Sequence, residues 1–442
     1  PGDIGFEGPS YTGVSGSHPT QEKPESKLWY HDGSWWGSFW SNPTGAFTVH
    51  RLDRIAHVWV DTGTVLEGSG IYRQDTLFDG TKLYVASHRY ATSPGSADAR
   101  LVRLSYDPGT RSWSVDAGFP VTLGNARSET LTIAEDTSGM LWATWTTNGE
   151  VWVNHSVCSS TCNDAVWATP SRFDTFVGVG GAAVTSSDDI SSVVAFGGKV
   201  GIYWSNQLAD ASYFAVHVDG AAPTAWSTET TLSGTDISDD HINLATDGAT
   251  VFVAVKTSHD DRAMPETLLV KRTPGGVWSS VVTTMGTERL TRPIVTYDRV
   301  NDRLHWFAAD VAGGHVYTKD AAARSPSFVT GKGEPVLFDA SGADMNDVSS
   351  TKQSVDPSTG LVVVATDNIS QTYWYHDDTL GGTPVGTTTT TPTTTTVVDQ
   401  SGPTTTTIAV DPGPDDGLRF DHGVTVGSTA QRGDWFTVPD QT

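Results

Sequence analysis

The chain of 442 residues carries 51 acidic against 27 basic side chains, a formal charge of -24. That balance supplies no basic face for phosphates and excludes a nucleic-acid partner, and no apolar run approaches the roughly 20 residues that span a bilayer. A composition rich in Gly and Trp, with only two Cys and four Met, suits many short strands joined by tight turns rather than helices.

In chain order, residues 4–11 come first as an isolated strand, and their use becomes plain only at the other end. From Lys27 to His376 one four-strand unit then recurs seven times, and internal repetition of this kind decides the fold. One column of the repeat is an aromatic that opens a strand after a polar turn: Trp59, Trp113, Trp167, Trp226, Trp278 and Phe328. Its steps are roughly 50 to 60 residues, the size of a propeller blade. A second column is a short apolar run after a Gly or Asp turn, at Trp35-Trp36, Leu83-Tyr84-Val85, Leu141-Trp142-Ala143, Gly201-Ile202-Tyr203, Val251-Phe252-Val253, Leu304-His305-Trp306 and Leu361-Val362-Val363. Such runs fit strands covered on both faces by neighbouring blades. A third column alternates, from Phe47 to Val49 in the first unit to Tyr373 to Tyr375 in the last. Asp32-Gly33, Asp79-Gly80, Gly197-Gly198 and Asp247-Gly248 supply hairpin turns. The pattern predicts an all-β, seven-bladed β-propeller over residues 1–380.

Within the third unit, Cys158 and Cys162 bound a polar segment where a disulfide would pin a turn in an oxidising compartment. The seventh unit lacks a fourth strand after Asp378. An open edge is a liability, so residues 4–11 are expected to close the ring. Residues 381–410 form a Thr- and Pro-rich linker too polar to pack a core, read as a disordered spacer. Residues 411–442, with Phe420 and Trp435-Phe436, read as the start of a further module or a disordered tail. A mature or trimmed bacterial protein, secreted or held at the cell surface, is expected to look like this.

In a propeller the first strand of each blade lines the channel, and its start shares one face with the loops between the second and third strands. The strand starts predict a charged ring at the channel mouth: Lys27, Asp75, Glu129, Asp189, His241, Arg292 and Lys352. The loops add His88, Asn206, Gln207 and Lys256. Mutual pairing of this ring would merely fasten blades. Hydroxyl-rich sugars are matched by the same mixture of amides, charges and aromatics, so an extracellular polysaccharide or surface glycan is the expected partner. Lys27, Arg292, Lys352, His88, Asn206, Gln207 and Lys256 would then bind ligand.

Two chemistries fit the residue types if the ring is catalytic. A glycoside hydrolase would draw its two carboxylates from Asp75, Glu129, Asp189 and Asp240. A polysaccharide lyase would neutralise a uronate with Lys27, Arg292 and Lys352 and take a proton with His241. The predicted catalytic set is Glu129, His241, Asp189 and Asp75. Phosphate-loop, zinc-protease and serine-hydrolase motifs are absent. No cofactor and no metal centre is expected, and acidic loops near Asp188-Asp189 or Asp239-Asp240 are where structural calcium would sit.

The segments Lys23-Pro-Glu-Ser-Lys-Leu-Trp-Tyr, Ser187-Asp-Asp-Ile-Ser-Ser-Val, Asp239-Asp-His-Ile-Asn-Leu, Thr291-Arg-Pro-Ile-Val and Ser350-Thr-Lys-Gln, with Ala209-Asp through His217, together resemble a group of large secreted bacterial propeller proteins. That resemblance implies further surface or carbohydrate-related modules. A looser similarity is to sialidase-like propellers of BNR repeats: Ser105-Tyr-Asp-Pro-Gly-Thr-Arg-Ser-Trp113 resembles their Asp-box with one extra residue before the Trp. Sialidase activity would imply three arginines around a carboxylate, for which Arg292 with Arg73, Arg127 or Arg289 are the candidates.

Overall fold

The structure is a computed structural model that describes residues 2–14, 18–91, 93, 95–125, 127–159, 161–311, 314–342 and 344–382. The expected Thr- and Pro-rich linker, from residue 383, and the expected further module lie outside the described residues. The described residues form seven antiparallel sheets, the blades of a propeller. Blade 1 runs Leu28–His31, Ser34–Ser41, Ala46–Asp53 and Val58–Glu67, four strands a to d from the channel outward. The a strands of blades 2 to 7 are Tyr72–Phe78, Leu131–Glu135, Ser191–Phe196, Ile242–Thr246, Leu290–Asp298 and Met345–Ser349.

Blade 7 is completed from the far end of the chain. Its third strand, Thr372–Asp378, pairs antiparallel with Phe6–Ser10, so the first strand in sequence supplies the outer edge of the last blade. This is the expected closure, and it covers the edge that the third strand would otherwise leave open.

The repeat follows from packing between blades. Trp113 opens the outer strand of blade 2 and meets Trp29 and Trp36 of blade 1 edge-on, with ring centroids 6.0 and 6.1 Å away. Trp226 of blade 4 meets Trp142 of blade 3 at 5.3 Å, and Trp278 of blade 5 meets Phe214 of blade 4 at 5.3 Å. Each aromatic thus fills the wedge toward the preceding blade, where a flat ring covers much apolar surface. The second strands lie at the centre of these layers: Leu83, Val85, Leu141, Ile202, Val253 and Val363 are fully buried. The Asp32-Gly33 hairpin turns through φ of 48° and 69°, the left-handed pair that matches the twist of the strands it joins.

Gly201 makes room for a ring on the neighbouring strand of its own blade. A Cβ built there would lie 1.9 Å from Cζ of Phe214. Gly201→Ala is expected to destabilise the protein by about 1 to 3 kcal/mol through overpacking, read as a lower urea midpoint at unchanged slope. An unchanged midpoint would show that the ring shifts freely.

Between blades 3 and 4 the chain makes two short 3-10 turns, Phe173–Thr175 and Gly180–Ala183. Cys158 and Cys162 form a disulfide that closes the hairpin of Glu150–Cys158 and Cys162–Trp167. Among the described residues no helix is long and apolar enough to cross a membrane.

Candidate functional site

The channel mouth differs from the sequence reading in one respect that controls the rest. The polar segment from His18 to Lys27, between the closing strand and the first strand of blade 1, is buried in the channel itself. Thr20, Glu22, Lys23, Glu25, Ser26 and Lys27 are all less than 5 % exposed. A charged segment tolerates this only if each group finds a partner, and the partners come from several blades. Thr20 bonds Thr366 of blade 7 at 2.9 Å. The Lys23 ammonium donates to Glu129, ahead of blade 3, at 2.8 Å and to Asp240, ahead of blade 5, at 2.9 Å, and it pairs with Glu22 at 2.8 Å. The Lys23 carbonyl accepts from Asn243. Glu25 takes Lys27 at 2.8 Å, His88 of blade 2 at 2.6 Å and the Leu131 amide of blade 3. The segment is a plug.

Burial and pairing set the charges. Glu22 is pushed up to about 8 by burial, against the pull of Lys23. Burial also raises Glu129, again opposed by Lys23. Burial works against the charged form of Lys23, but Glu22, Asp240 and Glu129 overcome it and hold the ammonium well above the usual lysine range. Burial opposes ionisation of Glu25 too, yet Lys27 and His88 bring it down to about 2.

The residues expected in the ring fall into three groups. Glu129, His241 and Arg292 stand at the mouth. His241 Nδ1 pairs with Asp240 at 2.6 Å and with Asp239, and burial of its ring is outweighed by those carboxylates, so its pKa is raised. Asp240 is correspondingly held well below the usual range despite its burial, chiefly by His241 and Lys23. Glu129 Oε2 is buried with no hydrogen bond among the described residues.

A second group lies deeper. The strand of blade 2 starts at Tyr72, so Asp75 sits at its middle, wholly buried, accepting from the amides of Ser26 and Ile133 and pairing with Lys352. Lys27 is likewise wholly buried and donates to the Gln74 carbonyl at 2.5 Å. Lys352 follows, rather than starts, the inner strand of blade 7 and donates to the Ile133 carbonyl at 2.6 Å. A third group serves loops: Asp189 accepts from the Ser186 and Gln207 amides, Asn206 from its amide nitrogen holds the Ala182 and Val184 carbonyls, and His88 is spent on Glu25 and Ser128. Lys256 pairs with Asp239 at 2.6 Å, and Gln207 reaches Asp188 at 3.4 Å.

The blade 7 position that the sequence reading gives to Lys352 belongs to Asp347. Arg292 and Asp347 occupy equivalent bulges, with register shifts between Thr291 and Ile294 in blade 6 and between Asn346 and Ser349 in blade 7. Both have left-handed backbones, φ 53° and 54°, a conformation a non-glycine residue adopts at a cost. Their side chains pair at 2.7 Å, and His18 of the plug reaches the other Asp347 oxygen at 3.0 Å. Asp347 is held at about 2, since Arg292 and His18 outweigh its burial.

Two triads of ligand type converge here, Asp239 with Asp240 and His241, and Glu129 with Asp188 and Asp240. Lys23 already donates to two members of the second. Of the arginines that a sialidase-like site would use, Arg73 is buried and donates to the Gly70 and Tyr72 carbonyls, and Arg292 turns its Nε to Asp347 while its side chain stays partly exposed.

The far end of the channel holds a cavity of about 250 Å³ that no sequence motif announces. It is lined by Pro24 of the plug, by Lys352, and by the ends of the inner strands of blades 2 to 5, including Leu77, Glu135, Val193 and Leu244.

No known protein family matches the chain, and no curated protein matches it. Solved structures do. An ulvan lyase, a polysaccharide lyase bound to GlcA(1-4)Rha3S, superposes with a TM-score of 0.52 at 11 % identity, over 86 % of this chain and 95 % of that one. The polysaccharide lyase Uly1 gives 0.46 at 10 %, over 86 % and 98 %. The microbial sialidase Hz136 gives 0.41 at 11 %, over 70 % and 66 %. At 11 % identity the likeness to the ulvan lyase establishes a shared fold and nothing finer.

Proposed function

We propose that the protein is a secreted or cell-surface propeller of the large bacterial group it resembles, and that it binds extracellular carbohydrate at the channel mouth. The observation that carries this reading is the rim around the plug. Tyr90, Asp188, Gln207, Lys256 and Arg292 come from blades 2 and 4 to 6, and all keep part of their side chains in solvent. They combine donors and acceptors with an aromatic ring, the set that sugar hydroxyls and a pyranose face require. The ion pairs beneath them hold the floor in place, so little ordering is left for the ligand to cost. The lyase with a bound saccharide that shares the fold supports a carbohydrate as the ligand class.

The alternative is a lyase or hydrolase on the same face. Its support is narrower than the sequence suggests, because Asp75 and Asp189 spend their oxygens on backbone amides and Lys352. Glu129, with one free buried oxygen, and His241 remain as its acid and base.

Glycan-array binding is expected, with affinity falling about tenfold in Asp188→Ala and in Arg292→Ala, the loss of one good polar contact each. A panel of acidic polysaccharides should show neither new absorbance at 235 nm nor new reducing ends. Silence on the array would sink the reading. Product formation abolished by Glu129→Gln or His241→Ala would replace it with the enzymatic one.

A further inference from the structure

The cavity at the other end of the channel stands apart from the mouth and from that reading. Pro24 closes it on the plug side, and its walls are Leu77, Ala134, Val193, Val194, Ala195 and Leu244, an aliphatic sleeve formed by four consecutive blades. Its charged groups are unevenly placed. Lys352 lies beside Pro24, and its ammonium is already engaged by the buried Asp75 carboxylate and the Ile133 carbonyl. Asp79 and Glu135 lie where the inner strands of blades 2 and 3 end.

Among the described residues those two carboxylates have no such compensation. There Asp79 accepts only backbone amides, from Thr81 and Lys82, while the Lys82 ammonium is turned to Asp116 and Ser105. Among the described residues no hydrogen bond and no cation engages the half-buried Glu135 carboxylate. Its neighbours Asp136 and Asp164 add negative charge, and the second of these is tied to Arg103 and Tyr84. Burial, and then Asp79, Asp136 and Asp164, push Glu135 up to about 7, which is the signature of an acid lacking a counter-charge.

We propose that this cavity binds a small organic cation, an ammonium on an aliphatic body, with the body in the sleeve and the charge between Glu135 and Asp79. An apolar pocket with a few convergent polar groups is the usual form of a small-molecule site, and a hydrogen bond from an ammonium to a carboxylate is roughly twice as strong as one between neutral groups.

Cyclohexylammonium and the similarly shaped neutral cyclohexanol test this on the full-length chain by calorimetry or ligand-observed NMR. The amine is expected to bind at least tenfold tighter than the alcohol. Glu135→Gln should remove that preference while leaving the weak binding of the alcohol, and Ala195→Phe, which fills the sleeve, should abolish both. Equal affinity for the two compounds, no binding of either, or amine binding undiminished in Glu135→Gln would overturn the proposal. Glycan binding at the mouth is read separately on the same variants and is expected to be unchanged.

Discussion

Lys23→Ala is expected to destabilise the propeller by about 3 to 5 kcal/mol, the usual consequence of removing one partner from a buried ion cluster. The ammonium lies within 2.9 Å of Glu22, Glu129 and Asp240, which come from the plug and from the segments leading into blades 3 and 5. Without it three carboxylates share a desolvated site. They relieve the repulsion by taking up protons, so the loss should be larger at pH 8 than at pH 5. Lys23→Met paired with Glu129→Gln, which removes one of the stranded charges, should recover part of the loss. Urea unfolding followed by tryptophan fluorescence reads all three. A loss below about 1 kcal/mol at pH 8 would mean that the ion pairs do not fasten the plug, the ordinary result for a solvent-screened pair.

What could be read from the sequence and what could not divide along one physical line. The blades were legible because strand period, turn chemistry and the wedge aromatics all answer to the hydrophobic effect. Trp113, Trp226 and Trp278 sit where a column of large rings must sit, against the preceding blade. Inner strands were legible only where they are apolar. In blade 2 the strand begins with Tyr72, Arg73 and Gln74, and in blade 7 it begins at Met345 and runs through Asp347. Polar residues facing a channel carry no hydrophobic signal, so the expected starts at Asp75 and Lys352 fell too deep. The plug was illegible for the same reason carried further. His18 to Lys27 has the composition of a solvated linker, and its burial depends on partners that the sequence scatters from His88 to Asp347. One signal was present: Arg292 and Asp347 bear opposite charges, and their bulges become equivalent once the two strands are aligned from their true starts.

The plug also makes stability depend on pH in two opposed ways. Glu25 is held at about 2 in the folded protein, against 4.5 for an ordinary glutamate. Between these values the unfolded chain binds the proton that the folded chain refuses, so stability rises with pH across that window and is fully present above it. The shift corresponds to about 3 kcal/mol, and Asp347, also held at about 2, acts in the same direction. Glu22 behaves oppositely. Its folded value of about 8 lies above its ordinary 4.5, so between the two the folded protein keeps a proton that the unfolded chain has lost. Its contribution is complete below about 4.5 and declines as pH rises toward 8, and Glu129, raised in the same sense, adds to the decline. The expected curve from urea unfolding at fixed temperature therefore climbs from pH 2, peaks near pH 5 and falls toward pH 8. Glu22→Gln, which cannot ionise, should make the alkaline limb shallower, leaving the part due to Glu129, and leave the acid limb in place. Stability that climbs steadily from pH 5 to pH 8 in the unaltered protein would show that Glu22 is ionised in the channel, paired with Lys23 as an ordinary salt bridge.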